Sequence, residues 1–239
     1  MPTQRYVSPE LTHFVGKRLS EDQQYSLLVN DILKGGCLMY SPIDDRPCTE
    51  GLSGIPLVGG TREPDDDTEA AYSQVVCFCD IPVTDLEIHM KKYSRFGLSF
   101  LKPFLVSKGA NPVLYVAKNS PALSFRLPES QDEPWPRRRV FERNIELLED
   151  YRRKMRGTFP INLEFFLDIL VISFIKYFDD STSDEDEANV YMEREWRVWG
   201  DVNFALEDVH RVFMPEHYAE RFRADLPNYI GQLTFSDNI

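Results

Sequence analysis

The sequence predicts an α+β fold: a single domain over residues 1–239, built on a mixed or split sheet, with a helical insertion at 137–178. Three stretches predict it. Residues 188–200, ANVYMEREWRVWG, are rich in aromatic and β-branched side chains and close on Gly200, the pattern of a strand of about nine residues. Residues 73–80, SQVVCFCD, have the composition of a buried strand. Residues 20–33 repeat apolar side chains at helical rather than strand spacing.

In chain order, residues 1–10 read as a ragged lead-in and LTHFV, 11–15, as a short strand ending at Gly16. Ser20 and Gln23 form a capping box, and Tyr25, Leu28, Val29, Ile32 and Leu33 then make one apolar helical face, stopped by Gly35 and Gly36. Residues 41–68 are rich in Pro, Gly and Asp without periodicity, which predicts a long functional or mobile loop. After the 73–80 strand, Thr84 and Glu87 predict a capped helix with Leu86, His89, Met90 and Tyr93 on one face. Residues 98–106 predict a strand with Pro103 at an edge or bulge, and NPVLYV, 111–116, another. A basic helix is expected at 137–156. The apolar run 160–178 reads as a buried helix by length, with its Ile, Val and Phe content keeping a strand open. The acidic run 179–187 is expected to be a mobile surface loop, because it has too few apolar side chains to offset the entropy of ordering. A strand at 209–213 and a helix opened by Pro215 precede a frayed tail.

Composition narrows the function. With 27 basic against 39 acidic residues the net charge is −12, which argues against phosphate binding by the bulk surface and makes nucleic acid an unexpected partner, except through a local patch such as 137–156. The run 161–178 is interrupted by Glu164, Asp168 and Lys176, so no membrane span is expected. No basic start leads into an apolar run, and four cysteines without such a leader suggest reduced thiols and a cytoplasmic setting. Cys77 and Cys79 are spaced C-x-C, with His89 too distant to complete a familiar zinc pattern.

The chemistry concentrates in the 188–200 strand. Strand alternation puts Glu193, Glu195 and Arg197 on one face, with the two carboxylates about 7 Å apart. Such a pair can hold a sugar hydroxyl and stabilise a developing oxocarbenium ion; it can equally form a salt-bridge ladder with Arg197. His13, flanked by Thr12 and Phe14, is either a hydrogen-bonded core histidine or a ligand contact. Lys91, Lys92 and Arg95 beside Tyr93 can meet a pyrophosphate or form a solvated face.

Taken together, LTHFVG, the helix ending IL-x-GG, VCFCDIP, H-x-x-x-YSRFGLSFLK, GANPVLYV and YMEREWR resemble the AbiGi proteins of bacterial abortive infection against phage. The resemblance covers most of 11–214, apart from 41–72 and 120–158. It implies the antitoxin side of a two-gene defence system. A more distant resemblance, in the order early strand histidine, helix, aromatic segment and late Glu-x-Glu strand, is to ADP-ribosyltransferase folds. It implies that NAD is held by His13 with Thr12, Tyr93 and Arg95, that Glu195 is catalytic, and that Glu193 stands beside it.

Two functions are therefore expected in a phage-defence setting. One is transfer of ADP-ribose from NAD, or NAD cleavage, with Glu193, Glu195 and Arg197 facing a cleft shared with His13. The other is a non-enzymatic antitoxin or regulator that binds and neutralises a partner toxin, which the acidity of the chain suits.

Overall fold

The computed structural model describes residues 8–40, 75–117, 174–184, 186 and 189–239. The 41–72 loop and the basic helix at 137–156 lie outside these, as does most of the apolar run at 160–178. The chain divides into two compact units, one of Met1–Pro112 with Glu193–Ile239 and one of Val113–Met192.

In the first unit β1, Glu10–Phe14, leads to α1, Glu21–Ser26. The capping box forms as expected: Gln23 N–H donates to Ser20 Oγ while Ser20 N–H donates to Gln23 Oε1. The helix then widens into a π-helix, Leu27–Leu33, closed by an i to i+5 bond from Lys34 N–H to Val29 O at 3.0 Å. All five apolar positions of the predicted face are buried. Gly36 ends the helix at φ +65°, where a Cβ would meet the Phe204 carbonyl at 2.8 Å.

The unit continues through β2, Cys37–Leu38, β3, Val75–Cys79, and α2, Glu87–Lys92. A 3₁₀ turn at Val83–Asp85 takes up Thr84, so Thr84 does not cap α2; its hydroxyl goes to Asp85 instead. β4, Gly97–Leu101, is shorter than the predicted 98–106 strand, because Pro103 sits in the first turn of α3, Lys102–Ser107. There its missing N–H costs nothing. β5, Asn111–Pro112, ends this part of the unit.

The second unit holds a parallel pair, β6, Leu114–Ala117, with β7, Ile175–Phe178. The predicted strand 111–116 is thus two strands, and the C-terminal end of the predicted apolar helix is a strand. Tyr115, Phe178 and Tyr191 cluster with ring centroids 4.8–6.3 Å apart, Tyr115 edge-on to the other two.

Back in the first unit come β8, Glu195–Trp199, β9, Val202–Asn203, β10, Val209–Met214, α4, Ala219–Asp225, and β11, Gln232–Phe235. The expected frayed tail is therefore a strand, paired parallel with β10. The seven-stranded sheet has the order β11-β10-β4-β1-β3-β8-β5, antiparallel except at β10–β11, so it is mixed as expected; β2 and β9 form a separate pair.

One sheet face packs on the main core. Leu11, Leu98, Phe100, Phe78, Val76, Val198 and Val212 meet α1, the π-helix and Phe222 of α4 there. The other face holds a small cluster in which Cys79 and Phe213 pack with Leu86 and Met90 around α2.

Candidate functional site

That second face is where the charged residues collect. Register partners across six strands run Gln232, Arg211, Ser99, Thr12, Cys79, Glu195, so all six side chains leave the same side of the sheet. Next to Glu195, the row Asn111, Arg197, Cys77 follows two residues along.

At one end of the first row Arg211 Nε lies 3.2 Å from both oxygens of Glu10, Nη2 lies 3.1 Å from Oε1, and Nη1 donates to Thr234 Oγ1 at 2.6 Å. Ser99 donates to the other Glu10 oxygen. Glu10 and Ser99 are both buried, and this pairing is what makes burial of the carboxylate tolerable. Sequence reasoning passed over this network. Its signal was there in Glu10, Ser99 and Arg211, polar residues beside apolar ones within strands.

At the other end Arg197 Nε donates to Glu195 Oε1 at 2.6 Å, with both side chains almost wholly buried. Glu193 is not on the strand. Val190–Glu193 is a 3₁₀ turn, and Arg194 has φ +47°, so the extended chain begins only at Glu195. The predicted nine-residue strand is five residues long. Glu193 nevertheless reaches the same cluster: its Oε1 accepts from Lys92 Nζ at 2.6 Å and from the Tyr93 hydroxyl at 2.7 Å. Burial, then the negative charge of Glu193 and Glu195, pushes the Tyr93 phenol far above its ordinary range, so it is a hydrogen-bond donor and not a base. Lys17 and Lys92 lie over its ring at 5.0 and 5.4 Å. Burial and Glu193 likewise push the Cys79 thiol up, which makes it inert.

Of the residues expected to form one site, Glu193, Glu195 and Tyr93 come together, and Thr12 lies on their face. Thr12 Oγ1 is buried without a hydrogen-bond partner. His13 does not join them. It follows Thr12 on β1 and so projects to the opposite, main-core face, where its ring is 5.7 Å from Phe78 and Nδ1 donates to Cys77 O at 2.7 Å. The common cleft expected between His13 and Glu195 is not formed by these residues, because a one-residue offset on a strand is a change of face. Burial lowers the His13 pKa, with the Cys77 hydrogen bond opposing, so the ring is neutral at neutral pH. Arg95 is elsewhere, paired with Glu21 at 3.4 Å and with Asp237.

Chemically, the cluster is a set of carboxylates already matched by cations and a phenol. Among the described residues no group of His, Cys, Asp and Glu could hold a metal ion, and no helix is long and apolar enough to cross a membrane. No curated protein and no solved structure matches the chain. One family model does, over residues 66–229, with the description "Putative abortive phage resistance protein AbiGi, antitoxin".

Proposed function

Because the chain belongs to the AbiGi family of abortive phage resistance, we propose that it works as an antitoxin, binding and neutralising a cognate toxin protein without turning over NAD. The observation that carries this reading is the internal pairing of both candidate carboxylates. Glu195 is bound to Arg197, and Glu193 to Lys92 and Tyr93. An oxocarbenium-stabilising carboxylate needs to face the sugar, and here Oε1 of each accepts from side chains of the same protein. His13, the expected NAD contact, is on the other sheet face. The family description and the net charge of −12 both favour a protein partner, the charge favouring a basic one.

The test sets Glu195→Gln against wild type. The chain is co-expressed with the toxin encoded by its partner gene, and the purified chain is incubated with labelled NAD. Wild type and Glu195→Gln are both expected to restore growth and to leave NAD intact. The variant should melt lower, since breaking a buried ion pair costs about 3 kcal/mol. NAD turnover by wild type that disappears in a folded Glu195→Gln protein would replace this reading with the transferase one.

A further inference from the structure

The turn between β1 and α1 holds an arginine where the backbone favours a glycine. Leu19 N–H donates to Gly16 O at 2.9 Å and closes the four-residue turn 16–19, in which Arg18, the third residue, has φ +73°. A residue with a Cβ is strained there, and glycine is the usual occupant of that position. Gln24, almost wholly buried, holds the turn from beneath: its Nε2 donates to Gly16 O at 3.1 Å and to Leu19 O at 3.0 Å. Lys17, Arg18 and Leu19 are all exposed. The Lys17 ammonium rests over the Tyr93 ring at 5.0 Å, so it too is held in place.

Neither cation is matched by a carboxylate. Arg95, Arg194, Arg197, Arg211 and Arg221 each reach one, whereas Lys17 and Arg18 reach none among the described residues. Glu21 and Asp22, the next carboxylates along the chain, lie instead 3.4 Å from Arg95 and 3.3 Å from Arg221. A chain with 39 acidic residues thus leaves two adjacent cations uncancelled, on a turn fixed in advance and beside an exposed apolar side chain. A preformed turn loses little entropy when a partner binds, and arginine is a frequent interface anchor.

We propose that this turn sets the register of the toxin complex: Lys17 and Arg18 receive an acidic side chain of the cognate toxin, and Leu19 packs beside it. The proposal rests on the antitoxin reading. Net charge draws this chain to a basic partner at long range, while a local reversal of sign fixes which surfaces meet, because in other registers the two cations face the partner's cations. A carboxylate suits the turn better than a nucleic-acid backbone, which is held by neutralising many phosphates and not two.

The experiment titrates the toxin encoded by the partner gene with the full chain and with its Arg18→Gly and Arg18→Glu variants, and records melting temperatures. Arg18→Gly relieves the backbone strain, so it is expected to melt at or above the wild-type temperature and yet to bind toxin about tenfold or more weakly. Arg18→Glu is expected to bind more weakly still, and one Asp→Lys or Glu→Lys change in the toxin is expected to restore its binding. Wild-type affinity in both variants overturns the role of the turn and leaves the antitoxin reading standing. Weaker binding that comes only with a lower melting temperature makes Arg18 structural and overturns it as well. The same holds if no acidic residue of the toxin rescues Arg18→Glu. Binding of a labelled DNA duplex by wild type that is lost in Arg18→Gly assigns the turn to phosphates and overturns the proposal. Absence of toxin binding by wild type overturns both this proposal and the antitoxin reading.

Discussion

Arg194 takes a left-handed conformation, φ +47°, between two glutamates that strict alternation would place in line. For a residue with a Cβ this costs on the order of 1 kcal/mol, and the contacts around it hold it there: Asp80 N–H donates to its carbonyl at 3.2 Å, and its guanidinium reaches Asp80 at 3.9 Å. The result is that Glu193 turns toward Lys92 and Tyr93 while Glu195 stays on the sheet. His13 gives a pH prediction at the same scale. Its folded pKa lies below 6.5, so as pH falls from 6.5 toward the folded value the unfolded chain binds more protons, and stability is lost over that window. Above 6.5 the contribution is complete. Wild type should therefore lose more melting temperature than His13→Asn between about pH 7.5 and pH 5.5, with a slope of up to about 1.4 kcal/mol per pH unit inside the window. Equal losses in the two proteins would show that His13 does not titrate differently on folding.

Elements were legible where the signal was local. The capping box at Ser20 and Gln23, the five-residue apolar face behind it and the strands around residues 11, 75 and 209 all stand where periodicity put them. Ser20→Ala should cost about 1 kcal/mol and lower the melting temperature by about 2–4 °C, checked by calorimetry. A neutral result would mean that the buried face alone holds α1. Pro103 misled because a proline suits both a strand edge and the first turn of a helix, and only the helix-forming residues after it decide. The C-terminal tail reads as frayed because QLTF is too short and too polar to announce a strand; β11 is ordered by pairing with β10, a contact between segments some twenty residues apart.

For the whole molecule the governing quantity is charge. At −12 the chain favours a basic partner at long range, as proposed for its toxin, and salt would screen that attraction. Association with the toxin should slow severalfold or more from about 50 mM to about 500 mM NaCl, while dissociation changes little; stopped-flow mixing reads both rates. A salt-independent association rate would remove charge from the account of partner choice. The buried networks Glu10–Arg211–Ser99 and Glu195–Arg197 should respond weakly to the same salt, since burial shields them from ions.

Composition, capping pattern and motif order by themselves determined the α+β class with a mixed sheet, the family, the first helix with its cap, the strands around residues 11, 75 and 209, and the expectation of a protein partner. These depend on neighbouring residues or on the chain's total charge, both of which can be read along one dimension. Tertiary structure alone decided which residues share a site. Register sets the face, and register is made by strands far apart in sequence: Thr12 meets Cys79 and Cys79 meets Glu195, which brings Thr12 to the glutamates and sends His13, one residue later, to the other side. It also decided that both glutamates are already paired, because the charge on a carboxylate is written in the sequence, but the cation that neutralises it is chosen by the fold.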